Sequence, residues 1–286
     1  MIKESQAAAH ANTAIAKRAA VVVSLVTAEL LVLWFAPAIV FNLGVAFIIV
    51  FAIRELYFLD NSSYKMSLLR SAGLLGGGLL ALQMTFVPTL PLGLSVPVLV
   101  ILLFSVTVFK TNRPTPEEFR ELLFVMFCVL YIGAMFGLVI LIRNARLGRE
   151  LTLILILTVF TRETVAHFAG SLFPSGRALN SSINPRKSYG GAFVGIAGAI
   201  GVVILLSRYV EVGFTISRAV LFGACVGVAC QLGDLSESYI KRVTGRRHSG
   251  SVFGPEGGLL DFLDAAAFAN VIACLLLFLW GYIERI

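Results

Sequence analysis

The stretch from Gly233 to Asp264 carries most of the polar chemistry of an otherwise apolar chain. It reads GDLSESYIKRVTGRRHSGSVFGPEGGLLDFLD, and apolar runs long enough to enter a bilayer flank it on both sides. If the upstream helix continues into it, Asp234, Glu237, Ser238 and Lys241 share one helical face at i, i+3, i+4 and i+7. Carboxylates at membrane depth are expensive unless they pair, bind a cation or line a wet cavity, so this face predicts a functional site.

Simpler interpretations remain open for some of these groups. Glu237 and Lys241 could form an ordinary i,i+4 ion pair on a solvated helix end. Asp261 and Asp264 lie three residues apart where the last apolar segment begins, and one of them could serve only as an N-cap. Glycines that let the backbone approach a ligand closely lie between the two helices, at Gly245, Gly250, Gly254, Gly257 and Gly258.

The composition determines which elements must hold these residues. Of 286 residues 58% are hydrophobic and 14% charged, and the mean hydropathy is +0.91. These values exclude a soluble globular domain and predict an all-α polytopic integral membrane protein. The gathered carboxylates, cations and glycines predict a polar pocket, on the side that the loop charges make cytoplasmic. Residues 1–142 would supply about five helices, and residues 143–286 the remaining helices with the motif residues. About nine spans are expected, at 19–35, 37–53, 68–87, 94–109, 121–142, 151–173, 191–207, 218–240 and 263–282.

The charges predict an orientation. Loops assigned alternately to two sides carry 16 basic residues on the side of the N-terminus and 6 on the other side. The positive-inside rule then makes the N-terminus and the loop after residue 240 cytoplasmic, in the inner (plasma) membrane. The apolar run after Lys17 and Arg18 is too long for a cleavable signal peptide, so we expect it to remain in the protein.

Two further classes of site are not supported. The net charge of +7 reflects loop lysines and arginines without interleaved aromatic residues, so no nucleic-acid partner is expected. The cysteines lie in apolar segments without a C-x-x-C pair, so neither a disulfide framework nor a zinc site is indicated; they are Cys128, Cys225, Cys230 and Cys274.

Ionisable residues occur in other spans as well. Glu29 is a lone intramembrane carboxylate without an assigned role, and Glu55 is interpreted as an interfacial charge beside Arg54. The sixth span carries Arg162, Glu163 and His167 within two turns, which indicates function, although pairing of Arg162 and Glu163 with a neighbouring span is the alternative.

The loop after the sixth span adds cations and a hydroxyl. Arg186, Lys187 and Ser188 precede two glycines at a predicted membrane surface, a combination that suits phosphate groups. The alternative is a solvated charge cluster attracted to anionic lipid. Beyond it, Gly191/Gly195 and Gly223/Gly227 have the G-x-x-x-G spacing of helix packing, within a bundle or in a homodimer.

These motifs resemble the CDP-diacylglycerol synthase (phosphatidate cytidylyltransferase) family. Its signature is S-x-apolar-K-R-x4-K-D-x-G-x2-apolar-P-x-H-G-G-x-x-D-R-x-D, and the chain matches its spacing without gaps. The segment around Glu163 is similar to the family's D-S-x-A-Y-x-x-G, and residues 184–190 to S-P-K-K-S-x-E-G. The matching signature residues are Ser238, Ile240, Lys241, Arg242, Gly250, Gly257, Gly258, Asp261 and Asp264.

The chain also departs from the family pattern, with Glu163 where the family has Asp, Arg247 where it has Lys and Gly254 where it has Pro, and four further departures bear on activity. Gly190 stands where the family has Glu, His248 where it has Asp, Glu256 where it has His, and Phe262 where it has Arg. His248 and Glu256 could be an exchanged pair that keeps one carboxylate and one imidazole. The departures raise a second hypothesis, a relative that binds lipid or a partner without turnover. A small transporter is a weaker hypothesis, because the ionisable residues gather at one membrane face.

The resemblance implies that CTP and phosphatidate react to give CDP-diacylglycerol and pyrophosphate, with Mg²⁺ as cofactor and a monovalent cation left open. It implies that Asp234 and Asp261 bind the metal, with Glu237, Asp264 and Glu163 as secondary ligands, and that Asp234, Lys241, Arg242 and Asp261 are catalytic. The implied substrate-binding residues are Arg186, Lys187, Ser188, Ser238, Gly257, Gly258, His248 and Glu256.

Overall fold

The computed structural model describes residues 23–24, 26–60, 66–111, 113–172, 177–246, 250 and 258–283, and these residues are mainly helical. A π-helical segment, Val129–Phe136, joins α5 to α6. The helices are α1 (Val26–Phe35), α2 (Ala38–Leu59), α3 (Leu68–Phe86), α4 (Leu92–Lys110), α5 (Pro116–Cys128), α6 (Gly137–Asn144), α7 (Gly148–Leu172), α8 (Tyr189–Tyr209), α9 (Ile216–Val243) and α10 (Leu260–Leu279).

Six of these helical segments are long and apolar enough to cross a membrane: α2, α4, the continuous run from α5 to α6, α7, α8 and α9. The expectation of a helical membrane protein is therefore confirmed. Each of the nine predicted spans overlaps a helix, but α3 is not among the six, and α1 and the apolar part of α10 (Leu263–Leu279) are shorter than they are. The total of nine spans remains a prediction, as does the division at residue 142.

The helices that carry the site begin at hydroxyl caps. Ser188 Oγ accepts a hydrogen bond from the N–H of Gly191 at 3.1 Å, and Thr215 Oγ1 accepts one from the N–H of Arg218 at 3.3 Å. Each cap satisfies an N–H that has no partner inside its own helix. The two caps fix where α8 and α9 start.

Glycines let α7, α8 and α9 pack at close range. A Cβ on Gly195 of α8 would lie 2.9 Å from the carbonyl oxygen of Arg162 on α7. A Cβ on Gly223 of α9 would lie 2.6 Å from the Cα of Ile200 on α8. Both G-x-x-x-G pairs therefore lie at helix contacts within this bundle, as predicted for packing residues.

The π-helical segment is held by α10. The Nδ2 group of Asn270, which is 3% exposed, donates a hydrogen bond of 2.9 Å to the carbonyl oxygen of Phe136. A π-helical turn shifts the backbone out of the regular i→i−4 ladder, so a side chain from a neighbouring helix can satisfy a carbonyl there. This contact ties the N-terminal helices to α10.

A short β-hairpin separates α7 from α8, at a place where the sequence predicts a loop. Strands β1 (Ala178–Asn180) and β2 (Asn184–Ser188) pair antiparallel. Asn180 Oδ1 accepts hydrogen bonds from the N–H groups of Ser182 and Ile183, each at 3.1 Å, as asparagine does when it shapes a turn. The hairpin adds two short strands to a mostly helical protein and brings Lys187 towards the helices.

Candidate functional site

The C-terminal third of α9 provides the backbone of the site. The helix runs unbroken to Val243, so Asp234, Glu237, Ser238 and Lys241 do lie on one helix. The first three are buried, at 6%, 1% and 7% exposure, and Lys241 is partly buried. The predicted polar face is confirmed, and it points into the protein.

Asp234 is held by two cations that come from other elements. Its Oδ2 atom lies 2.6 Å from Nη1 of Arg162 on α7 and 3.0 Å from Nζ of Lys187 on β2. Arg162, which is 1% exposed, also donates through Nη2 to Oε1 of Gln231, one turn before Asp234 on α9. This network joins α7, the hairpin and α9 around one carboxylate.

Lys241 joins α9 to α10. Its Nζ atom pairs with Glu237 and lies 2.6 Å from Oδ1 of Asp261. The Glu237–Lys241 pair considered as the simpler interpretation is present, but the burial of Glu237 contradicts a solvated helix end. Burial raises the pKa of Asp261, yet Lys241 and the N–H of Gly258, which donates to Oδ2 at 2.7 Å, outweigh it. The pKa of Asp261 is thereby lowered below its ordinary value.

Asp264 completes the acidic part of the site. It is 8% exposed, and its Oδ1 atom accepts a hydrogen bond from the N–H of Ala265 at 2.6 Å. Helix α10 can come close because a Cβ on Gly233 would lie 3.1 Å from the Cα of Ala265. The N-cap residue of α10 is Leu259, so neither Asp261 nor Asp264 is the N-cap that the simpler interpretation proposed.

The hairpin packs on the same part of α9. Asn184 Nδ2 donates to Oγ of Ser238 at 3.2 Å, and Nε of Arg242 donates to the carbonyl oxygen of Ile183 at 3.1 Å. Arg242 is otherwise exposed, and Ser188 caps α8 with its hydroxyl. These contacts bring Ser188, Ser238 and Arg242 to the same end of the helices.

We call seven charged residues from four elements the polar cluster: Arg162, Lys187, Asp234, Glu237, Lys241, Asp261 and Asp264. It contains four carboxylates and three cations. Each cation lies within ion-pair distance of at least one carboxylate, which compensates for burial of both charges.

Some predicted residues lie elsewhere or outside the described part of the chain. Glu163 and His167 have exposed side chains on α7, and Glu163 acts electrostatically on both Arg162 and Asp264. Arg186 lies in β2, but its side chain is outside the described part, as are the whole residues His248, Glu256 and Gly257. Their predicted roles remain predictions.

The residues fit a magnesium ion that takes few protein ligands. Within residues 23–24, 26–60, 66–111, 113–172, 177–246, 250 and 258–283, no group of three or more His, Cys, Asp and Glu side chains is arranged to hold a metal. The Oε1 atom of Glu237, however, is buried and accepts no hydrogen bond from the described residues. Magnesium commonly uses one or two carboxylates and completes its shell with substrate phosphates and water, so such a shared site fits.

Sequence reasoning missed several residues that build the site. Arg162 was noted for its charge, with pairing to a neighbouring span as the alternative, and that pairing is present, because it binds Asp234 on α9, 72 residues away. Gln231 carried no signal, and Asn184 was noted only as the first residue of the motif-like segment 184–190. Glu55, expected at the interface, is 4% exposed and accepts a hydrogen bond from the backbone of α10. The available signal for Arg162 and Glu55 was their charge within or at the end of an apolar span.

Comparison with known proteins gives a consistent set of relatives. A family model described as "Cytidylyltransferase family" matches residues 16–280. The chain is 37% identical over 126 residues to phosphatidate cytidylyltransferase 4, chloroplastic, of Arabidopsis thaliana, which covers 44% of this chain and 32% of the relative. It is 30% identical over 176 residues to phosphatidate cytidylyltransferase of Staphylococcus epidermidis, and this alignment covers 62% of this chain and 65% of the relative. It is 29% identical over 183 residues to the phosphatidate cytidylyltransferase of Bacillus subtilis, and this alignment covers 64% of this chain and 66% of the relative.

Proposed function

The chain belongs to the cytidylyltransferase family, and we propose that it transfers the cytidylyl group of CTP to phosphatidate, giving CDP-diacylglycerol and pyrophosphate. The observation that carries the proposal is the polar cluster, which gathers cations and carboxylates inside a bundle of apolar helices. A reaction between a water-soluble triphosphate and a membrane lipid requires charged groups held within the apolar helices of a membrane protein. The names of the relatives support this choice of substrates.

In the proposed reaction a phosphate oxygen of phosphatidate attacks the α-phosphorus of CTP. The bond from the α-phosphorus to the oxygen that bridges to the β-phosphorus breaks, and the electron pair leaves with pyrophosphate. Because the lipid phosphate is itself the nucleophile, no side-chain nucleophile is needed. The protein's task is to orient the two phosphates and to stabilise the charge on the leaving group.

Lys187, Lys241 and Arg242 would bind phosphate oxygens. The side chains of Lys187 and Lys241 are 27% and 15% exposed and already lie beside carboxylates, so they can be shared with an incoming anion. Arg242 is exposed at the same helix end. Ser238 and Ser188 would donate hydrogen bonds from their hydroxyl groups, and Arg186 would add a further cation from β2.

Asp234 and Asp261 would hold the magnesium ion, with Glu237, Asp264 and Glu163 as further carboxylates around it. When bound, the ion neutralises charge on the triphosphate. Without the ion, Arg162 and Lys187 pair with Asp234, and Lys241 pairs with Glu237 and Asp261.

We place the chain in the inner membrane with its N-terminus and the polar cluster on the cytoplasmic side. The excess of basic residues in one set of loops supports this orientation. Phosphatidate would then enter from the bilayer, and CTP from the cytosol.

The test is conversion of labelled CTP and phosphatidate to CDP-lipid by the purified protein in mixed micelles with magnesium. Asp234→Asn removes the charge that Arg162 and Lys187 surround, and we expect product formation to disappear. Glu117→Gln makes the same chemical change at an exposed position in the first turn of α5, and its activity should match that of the unaltered protein.

Each outcome decides between the hypotheses. Activity lost only in Asp234→Asn supports an enzyme that works through the polar cluster. A folded protein that forms no product would favour the relative that binds lipid or a partner without turnover. Full activity of Asp234→Asn would exclude this carboxylate from the reaction.

A further inference from the structure

Glu55 lies near the C-terminal end of α2, yet its side chain is enclosed by a distant part of the chain. The residue is 4% exposed. Its Oε2 atom accepts a hydrogen bond of 2.8 Å from the N–H of Leu260, which is 205 residues away. The expectation of an interfacial charge at Glu55 was wrong, because the start of α10 covers this end of α2.

The start of α10 lacks a cap of its own. Its N-cap residue, Leu259, makes no side-chain hydrogen bond to the helix. The first N–H groups of a helix have no partner within it, and the helix dipole makes a negative charge favourable there. Glu55 supplies both an acceptor and a charge from another helix, so it acts as an external cap.

A second segment lies against the same carboxylate. A Cβ on Gly250 would clash with Glu55 Oε1 and would lie 2.8 Å from its Cδ and 3.1 Å from its Cγ. The Oε1 atom is buried and has no hydrogen-bond partner among the described residues. Gly250, between α9 and α10 in the sequence, and Leu260, the first residue of α10, are thus both packed on Glu55.

Asp261 follows Leu260 directly. Its two oxygens lie 2.6 Å from Nζ of Lys241 and 2.7 Å from the N–H of Gly258. Any displacement of the first turn of α10 moves this carboxylate relative to Lys241, and Asp264 is one turn further on the same helix. The position of both acidic residues therefore depends on the contact that Glu55 makes.

We propose that Glu55 is a positioning residue for the polar cluster, and that it fixes the first turn of α10 and Gly250 so that Asp261 keeps its place beside Lys241. The proposal rests on the proposed cytidylyltransferase function for its effect on turnover, but its structural part is independent of that function. Glu55 itself contacts neither substrate. It also links the N-terminal helices to the motif residues of the C-terminal half.

The first experiment measures amide hydrogen exchange of a peptide covering residues 258–264, in the full-length protein in detergent without substrate. Glu55→Ala removes the acceptor, and exchange should become about fivefold faster, as expected for the loss of a helix cap. Glu55→Gln keeps an acceptor oxygen, so its exchange should stay near that of the unaltered protein. Glu118→Ala is the matched control. Glu118, in the first turn of α5, also accepts a hydrogen bond from outside its helix, from the hydroxyl of Thr111 just after α4. Unchanged exchange in Glu55→Ala would overturn the proposal.

The second experiment is a double-mutant cycle in the CDP-lipid assay. Glu55→Ala should lower kcat about 10- to 100-fold and raise the magnesium concentration needed for half-maximal activity, as is typical when a residue supporting a ligand is lost. The KM for phosphatidate should change less than about twofold. A general loss of folded protein would also lower the apparent kcat, but it would leave the magnesium concentration for half-maximal activity unchanged. Glu55→Gln should recover most of the activity.

Gly250→Ala should produce a similar loss, because its methyl group would displace the Glu55 side chain. The double variant should be no less active than Glu55→Ala, since the carboxylate that the methyl meets is then absent. Multiplicative losses would mean that Gly250 acts independently of Glu55 and would refute the coupling. If the unaltered protein forms no CDP-lipid, the proposed function fails while the exchange experiment still decides the role of Glu55.

Discussion

Replacing Arg162 with methionine tests whether the buried cation of α7 holds the polar cluster together. The Nη1 atom of Arg162 lies 2.6 Å from Oδ2 of Asp234, and the two side chains are 2% and 8% exposed. Removing one partner of a buried ion pair costs about 3–5 kcal/mol, because the other charge stays buried. Lys187 remains 3.0 Å from Asp234 and is 27% exposed, so we expect a loss near the lower end, about 3 kcal/mol.

Thermal unfolding in detergent micelles measures this loss. At about 2–4 °C per kcal/mol for a chain of this order of size, Arg162→Met should lower the melting temperature by about 6–12 °C. Adding Asp234→Asn removes the carboxylate that was left without its main partner. The double variant should therefore melt at least as high as Arg162→Met, although each single change is destabilising.

Arg208→Met provides the matched control, because Arg208 is exposed in the last turn of α8. Its effect should stay within about 0.5 kcal/mol. The reasoning is refuted if Arg162→Met and Arg208→Met have the same melting temperature. It is also refuted if the stability losses of the Arg162 and Asp234 variants simply add in the double variant.

Two further variants test helix packing and phosphate binding. Gly223→Ala should destabilise the protein by about 1–3 kcal/mol in the same unfolding assay, because the new Cβ would lie 2.6 Å from the Cα of Ile200; Gly201→Ala, with nothing within 4 Å of its Cβ, should be neutral or stabilising. Lys187→Gln should lower kcat/KM for CTP about 100-fold in the CDP-lipid assay while the melting temperature falls less than about 2 °C. Activity equal to that of a Lys110→Gln control, changed at the exposed end of α4, would remove Lys187 from phosphate binding.

The polar face of α9 could be predicted because the period of a helix alone determines which of its residues share a face. Asp234, Glu237, Ser238 and Lys241 follow i, i+3, i+4 and i+7, and a continuous helix needs no tertiary information to align them. The pairing of Arg162 with Asp234 could not be predicted in this way. The two residues are 72 positions apart, so their pairing depends on how α7 and α9 are rotated against each other. Glycine contacts such as that of Gly195 set this rotation.

The hairpin and Glu55 were missed for a related reason. Strand β2 reads NPRKS, whose proline, charges and lack of β-branched residues give no strand pattern, so its pairing with β1 comes from tertiary context. Glu55 lies at the end of an apolar span, where a charge ordinarily meets the lipid headgroups. Only the tertiary structure shows that the N-terminus of α10, rather than lipid headgroups, contacts the Glu55 carboxylate.

The exposure of the three cations divides the polar cluster into a fixed part and an adaptable part. Arg162 is almost fully enclosed and is bound to both Asp234 and Gln231, so it cannot turn towards a substrate without leaving buried groups unpaired. Lys187 and Lys241 have flexible stems and greater exposure, at 27% and 15% of their side chains. An incoming phosphate can therefore take a share of the two lysines while Arg162 keeps Asp234 in place, and a divalent cation would replace the lysine charge that the carboxylates then lose. If the proposed function is correct, Arg162 would hold Asp234 in place throughout, and the two lysines would be the groups whose contacts change when substrate binds.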